Sequence, residues 1–473
     1  MDSPGAVGRG FAGLVTALLL ALGLGASRTA EAGGYYLPDR GVRAFARGGA
    51  FVVGADDLSA LWYNPATLAG QPGTRLHLDL ALIDYRMHFE RYSVPELGVA
   101  YEPVDNRAPP LPDPSIAIST DFGLDDFVFA FGAYGPYTGL NRYPEQGAQR
   151  YALIRADNLG YVLELAAAWE PLAGLRLGAG LALFSLEINN TQAASAFPGL
   201  FGGPEDRDLD GLVQFVAGDH FRPAAVAGLW LRPAAWFGSD LGLELGLAFM
   251  SGIHFTAEGV LRSRLPDHYY YDQVYLDPAE PKVETRFDFP WVVRAGLRYV
   301  DEQARFDVEL DFVWEGWSCF EKIVVETVEP AYYRNVPTIG DYLVLPLVLD
   351  RRFRDTWSLR LGGSWWPLDW LVLRLGGYFE RGAAPDAYYT VATPDADKWA
   401  LAFGAGAVWG AFEIDLGYMH VFQLDRDIAV ADSRYTQTNP SNPEGSVTIG
   451  GGRYSSAYDV FGLSLLVRID SWF

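Results

Sequence analysis

The chain has 473 residues, of which 50% are hydrophobic and 14% aromatic, and its formal net charge is −23 with a pI near 4.6. Such an acidic chain repels nucleic-acid phosphates, so a nucleic-acid partner is not expected, whereas divalent cations are compatible with bridging it to anionic lipid. The single cysteine, Cys319, cannot form an intramolecular disulfide, and the sequence has no zinc or redox motif.

The N-terminal residues have the features of a secretion signal. Arg9 precedes an uncharged apolar run from Phe11 to Gly25, and Ala30, Glu31 and Ala32 follow as a small-x-small cleavage site. The run is shorter than the ~20 residues that a spanning helix needs. We therefore predict a signal peptide over residues 1–32, with an uncleaved inner-membrane anchor as the alternative.

Residues 33–73 are too polar and glycine-rich for a lipid-facing strand, and they contain three short motifs. The motifs are Gly41–Ala50 with its core Arg47, Gly48, Gly49 and Ala50; Asp56 and Asp57 with Ser59 and Ala60; and Asn64, Pro65 and Ala66. On these motifs the chain resembles the FadL/TodX (OMPP1) family of outer-membrane transporters for long-chain fatty acids and other hydrophobic compounds. The rest of the chain resembles this family only in its architecture.

The resemblance implies a fourteen-stranded barrel whose N-terminal segment folds into the lumen as a hatch. In this family the hatch blocks direct diffusion, and a ligand captured among the extracellular loops moves to a pocket in the upper lumen. A change at the N-terminus, together with a kink in the third strand, then releases the ligand sideways through the wall.

Alternating apolar and polar residues predict fourteen β-strands after residue 73. The predicted strands are 74–89, 114–121, 125–136, 157–170, 173–188, 221–233, 241–257, 283–300, 304–319, 352–366, 369–382, 398–409, 411–423 and 455–470. An even number is typical of bacterial single-chain barrels. We therefore predict an all-β fold, a 14-stranded antiparallel transmembrane β-barrel over residues 74–473, with a soluble β-sandwich as the alternative.

The predicted links between strands alternate in length. Tight links lie at 123–124, 171–172, 236–240, 301–302, 367–368 and around 410, and long links lie at 90–113, 137–156, 189–220, 258–282, 320–351, 383–397 and 424–454. Short periplasmic turns and long extracellular loops are typical of outer-membrane barrels. We therefore expect both termini in the periplasm, outer-membrane lipid around the wall, and a monomer, since a barrel with its own lumen can act alone.

Strand parity separates a lipid face from a lumen face. In the eighth strand the predicted lipid-facing residues are Phe287, Phe289, Trp291, Val293, Ala295, Leu297 and Tyr299, with Arg286, Asp288, Arg294, Gly296 and Arg298 facing the lumen. An Arg or Lys on the lipid face at mid-depth costs about 2–4 kcal/mol, which favours this assignment. Tryptophans beside short turns are predicted to mark the periplasmic interface, and they are Trp169, Trp236, Trp365, Trp370 and Trp409.

A hydrophobic ligand needs apolar binding surfaces along its path, because each methylene exposed to water costs ~0.8 kcal/mol. The segment from Ala193 to Phe201 is apolar for an extracellular loop, and Phe197, Leu200 and Phe201 are its candidate ligand contacts. Packing of these side chains onto neighbouring loops is an equal alternative.

A carboxylate head group would need a basic partner in the lumen. The arginines with inward parity are Arg294, Arg298, Arg360 and Arg374. The alternative is that each arginine pairs with a lumen acid, and the acids are Glu164, Glu244, Asp307, Glu309, Glu413 and Asp415.

Two further features of the loops and strands suggest functional sites. Gly132, Gly135 and Pro136 interrupt the third strand and are candidates for a lateral opening, although Gly-Pro at a strand end is equally typical of a turn. Asp206, Asp208 and Asp210 follow the first half of an EF-hand loop, which predicts calcium as an alternative to a solvated acidic loop. The acid expected at the twelfth position is replaced by Ala217.

The sequence favours passive uptake of hydrophobic small molecules. No cofactor is expected apart from the calcium ion considered for the loop aspartates. No serine, histidine and acid have the spacing of a catalytic site, so we predict no catalytic residues. A general diffusion porin and an outer-membrane lipid-modifying enzyme are the alternatives.

Overall fold

The structure is a computed structural model that describes residues 39–95, 97–135, 139–237, 242–337, 339–440 and 442–469. The predicted signal peptide, residues 33–38 of the predicted hatch, Pro136 and residues 470–473 lie outside the described residues. In the described part of the chain, no helix is both long and apolar enough to cross a membrane.

Strands dominate the described residues. They are β1 (Arg75–Arg91), β2 (Val104–Asp105), β3 (Leu111–Thr120), β4 (Phe127–Tyr134), β5 (Gly139–Arg142), β6 (Arg155–Leu172), β7 (Leu175–Ser195), β8 (Asp210–Leu231), β9 (Leu243–Met250), β10 (Ile253–Arg264), β11 (Tyr275–Asp277), β12 (Lys282–Phe289), β13 (Val292–Val300), β14 (Phe306–Glu315), β15 (Lys322–Thr327), β16 (Tyr332–Val336), β17 (Gly340–Leu343), β18 (Leu347–Asp350), β19 (Thr356–Leu368), β20 (Leu371–Glu380), β21 (Lys398–Trp409), β22 (Phe412–Gln423), β23 (Arg426–Ile428) and β24 (Gly452–Arg468).

The helices are short. They are α1 (Val42–Ala46), α2 (Ala60–Tyr63), α3 (Ala234–Phe237) and the 3₁₀ helices Pro65–Gly70, Arg207–Leu209, Tyr269–Tyr271, Trp317–Cys319, Asp386–Tyr388 and Pro443–Gly445.

The strands form a closed antiparallel barrel. The prediction of fourteen wall strands is confirmed in the described residues, with several of the wall strands built from two pieces, among them β4 with β5, β9 with β10, β12 with β13, β14 with β15, and β18 with β19. The barrel closes where β1 pairs with β24 over seventeen residues, from Arg75 opposite Arg468 to Arg91 opposite Gly452. Because the wall leaves no free edge along this seam, the backbone groups of both strands are hydrogen-bonded within the wall.

The two ends of the barrel differ, as the link lengths predict. One end, which we call the short-turn end, carries connections such as 173–174 and 410–411, and the other, the long-loop end, carries connections such as 265–281 and 381–397. The predicted link over 189–220 is wrong in length, because β7 continues to Ser195 and β8 begins at Asp210. These strands are long because their ladder continues above the rest of the wall, to Ser195 opposite Asp210.

The predicted faces of the eighth strand hold only for its lower half. Phe287 and Phe289 are buried inside the barrel, whereas Arg286 is exposed on the outside, so the prediction for these residues is wrong. The strand breaks at Pro290 and Trp291 between β12 and β13, and this break exchanges the two faces. Below the break, Arg294 is buried and Leu297 is exposed, as predicted.

The five predicted interface tryptophans are exposed and lie beside short turns. On the ninth wall strand, Leu310 and Phe312 are exposed while Asp307, Glu309 and Asp311 are buried. The outer surface is therefore apolar between the ends, and acidic groups of β14 lie in the lumen, where they position the site.

Candidate functional site

Residues 39–73 fill the lumen near the short-turn end and are called the hatch below. Val42 and Phe45 of α1 pack against Ala402, Met419 and Val460 of the wall. The 3₁₀ helix Pro65–Gly70 lies against the opposite wall, where it contacts β6, β7 and β8. The hatch is thus anchored on both sides of the barrel, and nearly all of its side chains between 42 and 68 are buried.

Arg47 provides the central polar anchor of the hatch. Its guanidinium donates to Asp307 on β14 at 2.9 and 3.0 Å, to Glu309 at 2.9 Å and to the Ser364 hydroxyl at 2.7 Å. Its Nε donates to the Ala50 carbonyl at 3.1 Å, which closes the turn that follows α1. One buried side chain therefore holds both the shape of the hatch turn and its position on β14.

Backbone amides of the hatch also bind carboxylates of β14. The N–H groups of Phe51 and Val52 donate to Asp311 at 2.7 and 2.9 Å. The N–H groups of Val53 and Gly54 donate to Glu309 at 2.6 and 3.0 Å. Four successive amides thus meet two carboxylates, a charge-assisted arrangement that is stronger than neutral hydrogen bonds.

Arg43 anchors the other side of the hatch. It donates to Asp415 and lies 2.8 Å from a Glu413 oxygen, both on β22. It also bonds to Asp56 within the hatch at 3.3 Å. The first predicted motif acid, Asp56, therefore links two turns of the hatch.

The second motif acid, Asp57, is fully buried. Its carboxylate accepts from the Ser59 amide at 2.9 Å, and its other oxygen lies 3.8 Å from the His77 ring. Burial raises the pKa of Asp57 above its ordinary value, although His77 and Arg43 act to lower it. Asp57 thus serves mainly as the acceptor that shapes the turn before α2.

The Asn64, Pro65 and Ala66 motif caps a helix and fastens it to the wall. The side-chain oxygen of Asn64 accepts a hydrogen bond from the Ala66 amide at 3.1 Å. Pro65 occupies the first helical position, where a missing N–H costs nothing. The side-chain amide of Asn64 donates to the backbone carbonyls of Val52 at 2.9 Å and Leu229 at 3.1 Å. The side chain therefore joins two hatch segments to β8.

Glycines bring the hatch backbone into contact with the wall. Gly48 has a φ of 64°, which favours glycine, and a side chain there would overlap the backbone of Gly377. A Cβ on Gly376 would in turn overlap the backbone of Arg47. The backbones of the hatch and β20 therefore touch directly.

Replacing Gly376 by alanine is expected to lower the free energy of unfolding by about 1–3 kcal/mol, because an added methyl group must push the Arg47 backbone away. Urea unfolding of the refolded protein in detergent measures the change. Gly203→Ala is the control, since a Cβ there meets nothing within 4 Å. Equal unfolding midpoints for the two variants would contradict a tight contact between hatch and β20.

Three of the four candidate lumen arginines form ion pairs. Arg298 bonds to Glu244 at 2.9 Å and to Asp307 at 2.8 Å, and Arg374 bonds to Asp415 at 2.5 Å. Arg360 bonds to Glu380 at 3.0 Å and also to Asp39 of the hatch. These contacts are the alternative considered from the sequence, and ligand contact at these arginines stays a prediction.

The fourth candidate, Arg294, has different surroundings. No described carboxylate lies within 4 Å of its guanidinium, which is buried and lies 5.1 Å from the ring centre of Trp62 in the hatch. Trp62 in turn contacts Tyr134 edge-on at 5.8 Å between ring centres. Arg294 therefore stabilises the hatch through a cation–π contact.

A cavity of about 460 Å³ lies at the long-loop end. Its apolar wall includes Leu261, Val283 and Val325, which pack together, and the exposed Leu345. Ala194 and Ala196 of the predicted apolar segment line the same cavity. A concave, mostly apolar space of this size is typical of a small-molecule site.

The three predicted ligand contacts of the apolar segment lie outside the lining of this cavity. Phe197 and Phe201 pack against a cluster that includes Leu209 and Tyr271, and Phe201 stacks on His268 at 5.2 Å between ring centres. Leu200 is 65% exposed. Phe197 and Phe201 thus pack onto neighbouring loops, which is the alternative considered from the sequence. Ligand contact at the three residues stays a prediction.

Among the described residues, β3 pairs with the third wall strand over only part of its length, and the stretch without such pairing is called the gap below. β3 pairs with β4 only from Ile116 to Thr120, and no described residue of β4 or β5 pairs with residues 111–115. Residues 111–115 pair with β1 on their other side, and Pro112 and Pro114 among them have no N–H to donate to a neighbouring strand. Within the described residues, the ladder between β3 and the third wall strand therefore ends at Ile116.

A small cavity of about 100 Å³ adjoins this gap. Its lining includes Gly135, Gly139 and Asn141 from the third wall strand, and Arg40 of the hatch, which forms an ion pair with Asp113 of β3. Gly132 lies away from the gap, where a Cβ would be 2.6 Å from Leu61 of the hatch. Of the predicted opening residues within the described part, only Gly135 lines this cavity.

Two of the three loop aspartates accept hydrogen bonds, and they accept them from different groups. Asp206 accepts from the Asp208 amide at 3.1 Å, and Asp210 binds Arg150 at 2.7 Å and the Tyr151 hydroxyl at 2.6 Å. Within the described ranges, no three acidic, histidine or cysteine side chains are grouped to hold a metal ion. The arrangement gives no support to calcium binding, which stays a prediction.

Sequence reasoning missed the cavity at the long-loop end, and it proposed a lateral opening from the third strand alone, without the two prolines of β3. The cavity is assembled from segments as distant as 194 and 435, so no local pattern could reveal it. The gap had a signal in Pro112 and Pro114, since two prolines two residues apart indicate an unpaired edge. The predicted strand 114–121 excluded Pro112 as part of a loop.

Known proteins with the same features are transport proteins. A family model described as outer membrane protein transport protein (OMPP1/FadL/TodX) matches residues 23–458. A comparison with curated proteins gave no match. The described fold therefore has a family but no curated relative.

Solved structures share the fold at low identity. A FadL homologue from Pseudomonas aeruginosa superposes with a TM-score of 0.72 at 18% identity, covering 92% of this chain and 100% of that chain. The toluene transporter TodX from P. putida gives a TM-score of 0.62 at 16% identity over 91% and 99% of the two chains. The toluene transporter TbuX from Ralstonia pickettii gives 0.58 at 14% identity over 90% and 98%. Identities this low show a common fold.

Proposed function

Because the chain belongs to the OMPP1/FadL/TodX family of outer-membrane transport proteins, we propose that it takes up hydrophobic small molecules, captured at the long-loop end and released through the wall. The long-loop end faces outward and the short-turn end, with both termini, faces the periplasm. Transport is passive and driven by the concentration gradient.

The observation that carries this proposal is the pairing of an apolar outer cavity with a filled lumen. The cavity holds about 460 Å³, enough for a small ligand, while the hatch is tied to the wall by Arg43, Arg47 and the amides of Phe51–Gly54. A general porin needs a water-filled channel, which a buried and ion-paired hatch obstructs. These contacts support a gated transporter over a porin.

Lateral release is supported by the gap beside β3. A ligand leaving between residues 111–115 and β5 would enter the bilayer and avoid the polar hatch, and Arg40 with Asp113 lies at that exit. An apolar molecule gains from this route, because burial in lipid favours it by about 25 cal/mol per Å² of apolar surface. Pro112 and Pro114 cannot donate an N–H towards β5, which disfavours a ladder on that side of β3.

The lining residues favour uncharged compounds such as monoaromatic hydrocarbons. Arg40 is the cation that lines the cavity beside the gap among the described residues, and it is already paired with Asp113. TodX is a toluene transporter by its description, and CymD a monoaromatic hydrocarbon channel. Among the described residues that line the exit, no uncommitted cation would hold a carboxylate.

A long-chain fatty acid is the second candidate substrate, and one residue favours it. Arg434 lines the outer cavity, is exposed, and forms no ion pair among the described residues. A carboxylate bound to Arg434 would leave its tail in the apolar part of the cavity.

Replacing Leu345 by aspartate is expected to abolish most ligand binding, because a charge would enter the apolar cavity. The residue is 59% exposed, so the fold is retained. Binding of radiolabelled toluene and oleate to the purified protein measures the effect, with Val99→Asp, at a residue 42% exposed elsewhere, as the matched control. Unchanged toluene and oleate binding by the Leu345 variant would contradict capture at this cavity.

Two further variants distinguish the two candidate substrates and the two candidate capture sites. Arg434→Gln should weaken oleate binding and leave toluene binding unchanged if fatty acids are substrates. Leu200→Asp should leave binding unchanged, since Leu200 lies outside the cavity lining; a loss would return the capture site to the predicted apolar segment.

We propose no enzymatic activity for this chain, since its family is one of transport proteins. A monomer suffices for this function, because the lumen, the cavity and the gap all lie within one barrel.

A further inference from the structure

A second, polar cavity of about 390 Å³ lies at the short-turn end, between the hatch and the wall, and is called the vestibule below. The described residues of its lining include six arginines and three carboxylates. The arginines are Arg43, Arg75, Arg176, Arg232, Arg298 and Arg468, and the carboxylates are Asp56, Glu244 and Glu413. Three of these arginines are also paired with carboxylates outside the lining: Arg43 with Asp415, Arg298 with Asp307 and Arg176 with Glu170.

The three carboxylates are already bound by other vestibule arginines. Glu413 lies 2.8 Å from Arg43 and 3.2 Å from Arg468. Glu244 lies 2.9 Å from Arg298, and Asp56 binds Arg43 as described above. The acids of the lining therefore do not reach the three remaining arginines, Arg75, Arg176 and Arg232.

Arg75 and Arg232 have no carboxylate within 4 Å in the described part of the chain. Arg75 makes only long hydrogen bonds, at 3.4 Å, to the Pro72 carbonyl and the Gln71 amide oxygen. It also lies directly opposite Arg468 in the register of β1 and β24, and like charges in directly opposed positions destabilise a sheet. An anion between them would remove this repulsion.

A third vestibule arginine has a fixed orientation. The Arg176 guanidinium lies 4.2 Å from the ring centre of Trp230 and bonds to Glu170, which is outside the lining, at 2.7 Å. Trp230 is itself buried against Val53 and Ala66 of the hatch. The arginines of the wall are thus held close to the hatch.

We propose that the vestibule binds an oxyanion, taken as free phosphate from the surrounding solution, between Arg75, Arg232 and the hatch. Guanidinium groups bind phosphate and carboxylate oxygens through paired hydrogen bonds. The bound anion would bridge β1 and the hatch and stabilise the hatch in the lumen. The carboxylate head of an amphiphile offers the same chemistry, and the test separates these two sources.

Titration calorimetry of the full-length protein in detergent, with inorganic phosphate and separately with hexanoate at constant ionic strength, tests this site. We expect saturable phosphate binding that weakens about tenfold in Arg75→Gln and in Arg232→Gln, since each substitution removes a charge-assisted hydrogen bond to the anion. Arg262→Gln, at an exposed arginine 3.0 Å from Glu280, is the control and should bind as the unchanged protein does.

Absence of saturable phosphate binding, or equal affinity in both vestibule variants and the control, would overturn the proposal. Saturable binding of hexanoate without phosphate would overturn the assignment to free phosphate. Circular dichroism shows whether each variant is folded. If Arg75→Gln does not refold, phosphate binding by Arg232→Gln decides the test. Hydrocarbon uptake through the outer cavity does not depend on either result.

Discussion

Replacing Arg47 by methionine is expected to release the hatch and make the barrel leak ions. Methionine keeps the hydrocarbon part of the side chain but leaves Glu309 without its guanidinium partner and Asp307 with Arg298 alone. Removing one partner from a buried ion pair costs about 3–5 kcal/mol. Since each 1.4 kcal/mol is about tenfold in an equilibrium constant, the undocked fraction should rise about a hundredfold to a few thousandfold.

Single-protein conductance in planar lipid bilayers measures this release. Arg305→Met is the matched control, because Arg305 forms an exposed pair with Asp369 at 2.8 Å on a short turn, and such pairs contribute about 0–1 kcal/mol. Deletion of residues 33–66 gives the reference for an empty lumen. A folded Arg47 variant whose conductance equals that of the unchanged protein would show that the hatch does not depend on this anchor.

Replacing Gly139 by tryptophan is expected to stop most delivery of ligand into the bilayer while leaving capture intact. Gly139 begins β5 beside residues 111–115 of β3, and a Cβ there meets nothing within 4 Å, so an indole group fits without strain and fills the gap. The outer cavity is formed by other segments, so toluene binding to the purified protein should be unchanged.

Uptake of radiolabelled toluene by cells that produce the variant measures delivery. Gly203→Trp is the matched control, because Gly203 also has open space around it and lies in a loop away from the gap. Normal uptake by a folded Gly139 variant would rule out the gap as the exit and favour movement past the hatch. Reduced binding as well as reduced uptake would instead indicate damage to the outer cavity.

These two predictions depend on features that were unequally visible in the sequence. The hatch motifs, from Arg47 to Ala66, could be recognised because they resemble those of a known family, and the structure shows what their residues do: Gly48 adopts a φ of 64°, and Asn64 caps the helix that begins at Pro65. The gap at Gly139 could not be recognised in the same way. Alternation within one strand shows which residues share a face. It does not show which neighbouring strand each residue pairs with, because those neighbours lie far along the chain.

The lumen arginines show the same limit. Inward parity was correct for Arg294, Arg298, Arg360 and Arg374, all of which lie inside the barrel. Parity could not tell that Arg360 meets Asp39 of the hatch, because 321 positions separate them in the chain. Whether a cation is neutralised or available to a ligand depends on such distant contacts.

The sequence by itself determined the barrel, its fourteen wall strands, its short and long ends and the hatch. Alternation with period two and turn residues are local properties, and a wall in lipid must keep charges off its outer face. The tertiary structure alone decided the exchange of faces at Pro290, the outer cavity, the gap beside β3 and the vestibule. Each of these arises where distant segments meet, since register, strand breaks and side-chain pairing are set by the closed barrel as a whole.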